Sequence, residues 1–338
     1  MKNLSFFDKL IYLLNSILAI LLLLSYLLPF ISPKNIPVLA VLSLLVPVFI
    51  IINLLFAIYW LVKLKKQVLL STIALIIGLV FSAPFYKISE KNSAFNSDIK
   101  VMSYNVKSFD WFYSTKEKKA EKNGFEFISK ENPDLLLIQE YYQSSKIQLK
   151  FPYKYIKIHQ NSSNFGMAIY SKFKIINSGS LELKNTNNNI IFVDVLKEKD
   201  TIRIYNLHLE SLKIKPNEEN FGEENSEKLI KRIETSFEKQ ADQTALFLSH
   251  QKNWKGKQII GGDFNNTAYS WVYNQIVKNK KDAFVDAGKG FGKTYNYFFP
   301  TRIDFIVTDS TAIINKFETA SVSYSDHFPI LSKISWPN

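Results

Sequence analysis

The sequence predicts a mixed α/β layer fold carried behind an apolar, helical N-terminal segment. Three observations predict it. From Leu10 to Tyr86 the chain is dominated by long runs of Leu, Ile, Val and Phe, whereas beyond Asp98 it has the composition of a soluble domain large enough for one substantial core. Within that domain, short apolar runs of strand length outnumber helical patterns. Many of those runs succeed one another with no crossover helix between them, which argues against a doubly wound parallel sheet.

The apolar segment divides into three runs, Leu10–Ile31, Ile36–Val62 and Val68–Phe85, each near or above the ~18 residues that cross a hydrocarbon core. The expectation is therefore a membrane anchor of three transmembrane helices over residues 1–87, in contact with lipid through residues 10–86, with a linker over 88–97. Pro33-Lys34-Asn35 makes the first turn, and Pro47 interrupts the second run, which neighbouring membrane helices tolerate. Tyr59, Trp60 and Tyr86 stand where interfacial aromatics do. A cleavable signal peptide is excluded by the length of the first run and the second run directly behind it. Lys63, Lys65 and Lys66 outweigh the single Lys34 of the first loop, so the positive-inside rule puts residues 63–67 in the cytoplasm. With three crossings, residues 98–338 lie on the non-cytoplasmic side of a membrane such as the bacterial inner membrane. Only polar Asn15 and Asn53 fall deep in a run, which gives a transporter or channel no ionisable pathway.

A net charge of +12 suits a polyanionic partner or an anionic membrane surface, though Lys-rich composition also serves plain solubility. No obligate protein partner is implied. Cysteine is absent, so disulfides and thiolate metal sites are excluded, and any metal is held by oxygen or imidazole.

Taken in order, Ile99–Val106 is a strand ending near Asn105, and Lys107–Asn123 is a loop rich in aromatics and lysines. Gly124–Lys130 is a short helix stopped before Asn132-Pro133, where the residue preceding proline is biased away from helix. Leu135–Gln139 is a buried strand with Glu140 at its end. Gly166–Ser171, Ile190–Leu196 and Thr201–Leu209 are further strands, the last carrying Asn206 and His208 two residues apart and so on one face. Glu218–Glu227 is an acidic loop, and Ser226 caps a helix running to about His250, with Ile230, Ile233, Phe237, Ala241, Ala245 and Leu248 at intervals of three and four.

Ile259–Asn265 then reads Ile-Ile-Gly-Gly-Asp-Phe-Asn. Two β-branched residues end a buried strand, and the glycines free the backbone to turn and to let a ligand approach closely. If the strand persists, Asp263 and Asn265 point to one face, where a carboxylate and a carboxamide can orient a water and hold an anionic oxygen. An ordinary turn uses the same residues. Ser270–Lys278 is a helix, and Arg302–Thr308 is a strand with Asp304 near its start. Ser325-Asp326-His327 precedes a last strand at Pro329–Ile334.

Polar residues of a few kinds thus recur at strand ends: Asn105, Glu140, His208, Asp263 with Asn265, Asp304, and Asp326 with His327. The blocks Ser-Tyr-Asn-Val (103–106), Asn-Pro-Asp-Leu-Leu-Leu-Ile-Gln-Glu (132–140), Asn-Leu-His-Leu (206–209), Gly-Gly-Asp-Phe-Asn (261–265), Arg-Ile-Asp-Phe-Ile (302–306) and Ser-Asp-His-Phe-Pro (325–329) together resemble the endonuclease/exonuclease/phosphatase family, the DNase I-like metal-dependent phosphoesterases, over essentially all of 98–338. The resemblance implies a four-layer α/β sandwich, two stacked sheets between helices, with the site at the strand edges.

It further implies a phosphoester hydrolase using Mg²⁺ or Mn²⁺. Glu140 would bind the cation with Asn105 and Asp326 near it. Asp263 would orient or deprotonate the attacking water, and Asn265 would hold a phosphate oxygen. His327, with Asp304 on its other ring nitrogen, and His208 would contact the phosphate, with Asn206 as a substrate-binding neighbour. A hard cation suits carboxylate and water ligands, and an Asp–His pair keeps an imidazolium where negative charge develops. After Asn105 the chain runs Val-Lys-Ser-Phe-Asp, without the acidic residue two places on that abasic-site endonucleases carry. The expected substrate is a phosphodiester, with nucleic acid slightly favoured by charge and a lipid headgroup favoured by the anchor. A tethered binding module of the same fold would need none of these motif residues, and all are present.

Overall fold

The computed structural model describes residues 4–110, 117–143, 149–159, 162, 164–214, 223–297 and 299–337. The chain divides into two compact units. One comprises Met1–Phe85, Lys213–Ala241 and Thr267–Asn274, and the other Tyr86–Leu212, Asp242–Asn266 and Gln275–Asn338.

In the first unit, α1 (Phe6–Ser25) is capped by the Ser5 side chain, which accepts from the Asp8 N–H, and a 3-10 turn (Leu28–Phe30) follows. Next come α2 (Pro37–Leu42), α3 (Val46–Val62) and α4 (Val68–Phe81). Helices α1, α3 and α4 pack around Ala19, Leu22, Phe49 and Ala74. Deeper still lies a polar chain: Trp60 donates to Asn15, Asn15 to Ser71, Ser71 to Asn53, and Asn53 to the carbonyls of Leu18 and Phe49. The outer surface is the reverse, with Phe6 87% and Leu79 78% exposed. Thr267 donates to the Ser43 carbonyl and Asn274 to that of Pro29, which ties the chain after residue 266 into this unit.

Three transmembrane helices are not found. Among the described residues only Phe6–Phe30, 25 residues, is long and apolar enough to cross a membrane. The second run breaks at Ser43 and restarts with Pro47 in the first turn of α3, where its missing N–H and fixed φ do no harm; further inside a helix they would break it. The third run yields 14 helical residues, about 21 Å at ~1.5 Å per residue, against a hydrocarbon core of ~30 Å.

The second unit is built on β1 (Ile99–Asn105), α5 (Glu117–Glu131), β2 (Leu135–Tyr142), β3 (Tyr153–Ile158), β4 (Phe165–Ser171), β5 (Lys174–Ser180), β6 (Asn189–Lys197) and β7 (Asp200–His208). The chain continues through α6 (Glu223–Gln251), β8 (Gln258–Asp263), α7 (Trp271–Val277), β9 (Lys280–Asp282), α8 (Ala283–Ala287), β10 (Asp304–Asp309), β11 (Ile313–Thr319) and β12 (Ile330–Ser335). Two six-stranded sheets form, in the orders β11-β12-β1-β2-β4-β3 and β5-β6-β7-β8-β10-β9. Each has a parallel pair at its centre, β1 with β2 and β7 with β8, flanked by antiparallel neighbours. A parallel pair needs a crossover, and α5 and α6 supply the two.

Val101, Leu135, Leu137 and Ile169 of one sheet meet Val193, Ile204, Ile259 and Ile306 of the other in a common core. Phe125, Phe127 and Ile128 of α5 cover the far side of the first sheet. Phe247 and His250 of α6 stack on Tyr205 and Phe192 of the second. Two mixed sheets flanked by helices is thus the observed architecture.

The sequence reading missed β3, β5, β9, β11 and α8. It also placed the start of α6 late: the helix begins at Glu223, so Ser226 lies inside it and not at its N-cap. Residues 111–116 of the expected Lys107–Asn123 loop and 218–222 of the expected acidic loop fall outside the described residues. Gly261 and Gly262 are strand residues, not a turn. Gly262 has φ +138°, and a Cβ on it would stand 1.9 Å from the Leu207 carbonyl oxygen; one on Gly261 would stand 2.4 Å from Leu137 Cδ1. The pair lets β8 approach both its neighbour strand and the facing sheet.

Candidate active site

The two parallel pairs deliver side chains at their C-terminal ends. Asn105 closes β1, His208 closes β7 and Asp263 closes β8, with His208 and Asp263 in register. Asp304, the first residue of β10, is the antiparallel partner of Asp263. Glu140 needs a further device. The pairing of β2 with β4 shifts register between Ile138 and Tyr141, and Glu140 takes a left-handed conformation with φ 49°. A bulge of this kind re-aims one side chain, and such backbone persists only where its surroundings hold it. Ser108 Oγ does so here, donating to the Glu140 carbonyl at 3.0 Å.

Asp263 Oδ2 is the hub. Asn105 Nδ2 donates to it at 3.0 Å, His327 Nε2 lies at 3.7 Å and His208 Nε2 at 3.9 Å. Asn105 Nδ2 also donates to Glu140 Oε1 at 3.2 Å, and His208 Nε2 lies 3.7 Å from the same oxygen. Among the described residues His208 Nε2 is buried without a hydrogen-bond partner. An unpaired buried polar atom is costly unless a ligand or water completes it.

His327 Nδ1 stands 2.9 Å from Asp304 Oδ2 and 3.2 Å from Oδ1, the contact expected from the sequence. The alternative, an Asp304–Arg302 pair, is absent: Arg302 bonds Asp282 at 2.6 Å and lies over the Phe284 and Phe305 rings. Burial pulls the His327 pKa down, but the carboxylates of Asp304 and Asp263 outweigh it, so the ring stays an imidazolium well past its ordinary range. Burial, with Asp304 opposite, raises Asp263 despite the pull of His327. Burial also drives His208 down to about 3, so its ring is neutral. One imidazolium, one neutral imidazole and one unusually basic carboxylate therefore meet around a single point.

The remaining expected residues sort themselves by partner. Asn265 has φ 49° and its N–H donates to Asp263 Oδ1 at 2.7 Å, while its Nδ2 donates to the Leu209 carbonyl at 2.9 Å. It lies beside Asp263 through this turn, because the strand ends at Asp263. Asn206 is corrected. It is fully buried, accepts from Gln139 at 2.6 Å and donates to the Ile138 and Ala168 carbonyls, so its carboxamide stitches the two sheets and has nothing left for a substrate. Asn105 Oδ1 accepts from the Lys107 N–H at 3.0 Å. Asp326 Oδ2 pairs with Lys107 Nζ at 3.1 Å.

Four residues that the sequence reading did not single out support the site. Ser325 Oγ donates to the Asn105 carbonyl at 2.9 Å and so pins the Asp326–His327 loop to β1. Thr294 Oγ1, buried, accepts from the Asp304 N–H at 3.1 Å. The Tyr295 ring meets His327 edge to face at 5.1 Å. Lys107 is the fourth. Of these, only Ser325 sat inside a recognisable block.

Asp263, Asp304 and His327 offer atoms within 4.8 Å of one another. Within that trio His327 Nδ1 is committed to Asp304. A divalent cation fits better on Glu140. Its side chain is 40% exposed, and its Oε2 carries no hydrogen bond or ion pair among the described residues, which leaves a carboxylate oxygen for a hard cation.

Known structures share this fold. The catalytic domain of human Nocturnin, solved with bound sulfate, is 17% identical over 72% of this chain and 96% of its own, with a TM-score of 0.53. A Danio rerio TDP2 humanized by 14 mutations is 16% identical over 71% of this chain and 100% of its own, with a TM-score of 0.54. A mannosyl-6-phosphatase of Bacteroides thetaiotaomicron is 15% identical over 70% and 100%, with a TM-score of 0.51. No curated protein matches the chain. Residues 8–85 match the model of a domain of unknown function. Residues 102–327, two-thirds of the sequence and every residue discussed above as part of the site, match the model of the Endonuclease/Exonuclease/phosphatase family, and the chain belongs to that family.

Proposed function

We propose that the chain is a membrane-anchored hydrolase of phosphodiesters that works with Mg²⁺ or Mn²⁺ held on Glu140. One observation carries the reading: a buried Asp304–His327 pair and the unpaired His208 Nε2 converge on Asp263 Oδ2 within 4 Å. The cation, when bound, polarises a phosphoryl oxygen. Asp263, its pKa raised, orients the attacking water and takes its proton near neutral pH. His327 offers Nε2–H to an oxygen gaining charge, while Asp304 fixes the other ring nitrogen. His208, neutral, offers its Nε2 to a second oxygen, and Asn265 stands beside Asp263 to hold the same group.

Nucleic acid is the substrate class favoured by the net charge of +12. A lipid headgroup is the second reading, favoured by the apolar outer surface of the helical unit. The test is a panel assay on the full chain in detergent with Mg²⁺ or Mn²⁺. It contains plasmid and single-stranded DNA, sphingomyelin, a phosphoinositide and, because one structural neighbour is a mannosyl-6-phosphatase, a sugar phosphate. DNA cleavage lost in Asp263→Asn is expected. Hydrolysis of none of these, or equal hydrolysis by the variant, removes the reading.

Anchoring rests on α1 and its following turn, the one stretch among the described residues long enough to span. Asp8 pairs with Lys63, so the start of α1 and the lysine-rich residues after α3 share an end of the helical unit.

A further inference from the structure

Lys107 stands two places beyond Asn105, where the sequence reading noted a missing acidic residue. It is tied to the site twice. Its N–H donates to Asn105 Oδ1 at 3.0 Å, and its Nζ lies 3.1 Å from Asp326 Oδ2. Lys107 and Ser108 are both left-handed, with φ 44° and 52°, and Ser108 Oγ anchors this turn to the Glu140 carbonyl. Two successive non-glycine residues in that region are costly, which marks a turn held for a purpose rather than a surface loop.

These contacts set a positive charge against the oxygens on this side of the site. Asn105 Oδ1 faces a backbone N–H and Asp326 Oδ2 faces the ammonium. A second divalent ion beside Asp326 would have to displace a fixed positive charge and repel it at a few ångström. Lysine is a compact point charge on a flexible stem, suited to moving between a carboxylate and a phosphate oxygen.

We propose that Lys107 is a resident cation of the site, standing beside Asp326 in place of a second metal ion and meeting a substrate phosphate oxygen with its ammonium. The inference rests on the phosphoesterase reading, but its test counts ions without substrate. Mn²⁺ binding to the full chain in detergent is followed by calorimetry and by the spin resonance of free Mn²⁺. The wild-type chain binds one ion, and Glu140→Gln weakens it at least about tenfold, a loss of ~1.4 kcal/mol. Lys107→Glu binds two ions. Lys107→Gln, which keeps the length of the side chain, binds its single ion at least about threefold more tightly, because a screened like charge is gone. Two ions on the wild-type chain, or one on Lys107→Glu, overturns the proposal; should Lys107→Glu not fold, unchanged affinity in Lys107→Gln does so. Failure of the substrate panel with the ion counts as stated would strike the phosphoesterase reading instead.

Discussion

Asp263 and Asp304 face each other as cross-strand partners on β8 and β10, and His327 reaches both, Nδ1 at 2.9 Å from Asp304 and Nε2 at 3.7 Å from Asp263. Two buried carboxylates opposite one another repel, and an imidazolium between them relieves the repulsion. The three side chains therefore act as one device.

Asp304→Asn and His327→Ala are each expected to cost at least about a hundredfold in kcat, the lower end for a positioned proton-handling group. The double variant is expected to lose far less than the product of the two, because residues acting as a unit are not additive. A fully multiplicative loss would mean that the two residues act independently.

The pH profile follows from the same pair. In the proposed reaction Asp263 works as a carboxylate, and its pKa is raised, so the acid limb of kcat/KM is expected above the ordinary carboxylate range, with activity climbing as the proton leaves. His327 works there as an imidazolium, and its pKa is raised too, so the alkaline limb is expected above the ordinary imidazole range. Asp304 is the foremost carboxylate holding that proton. In Asp304→Asn the alkaline limb is expected to move to lower pH, and a limb that stays in place argues against the assignment.

Gly262→Ala is expected to destabilise the protein by roughly 1–3 kcal/mol or more, since an alanine would be strained at φ +138° and its Cβ would meet the Leu207 carbonyl. For a chain of this size that lowers Tm by several degrees, on the order of 2–4 °C per kcal/mol. Thermal unfolding of the purified variant reads this directly; a Tm within about a degree of wild type would show that β8 can shift away from β7.

What the sequence disclosed and what it hid divide along physical lines. The strands it revealed, from Leu135–Gln139 to Arg302–Thr308, lie in sheet interiors and must be apolar on both faces. The four it hid, β3, β5, β9 and β11, are the outer strands of the two sheets. Tyr-Lys-Tyr-Ile-Lys-Ile and Lys-Ile-Ile-Asn-Ser-Gly-Ser carry polar side chains because one edge of each meets water. Asn105, Glu140, His208 and Asp263 were legible because each follows such an interior strand. Thr294 and Tyr295 were not, because a residue that works by holding a backbone N–H or a ring edge carries no mark in its own neighbourhood. The apolar count could not show that Pro47 starts a helix rather than kinking one. Asn206 misled for a related reason: spacing put it on the face of His208 but could not show the opposing sheet waiting there.

That stitch has a wider consequence. Asn105 and Glu140 come from one sheet and His208, Asp263 and Asp304 from the other, so the catalytic centre is in effect a vernier that reads the alignment of two plates. Slippage of an ångström between the plates, from a change as remote as Leu137 or Ala168, would separate the carboxylates from the imidazoles with every one of them intact. Loss of turnover in such a protein is an early gauge of loosened packing, and variants that lose activity before they lose secondary structure are expected to map to the seam between the sheets.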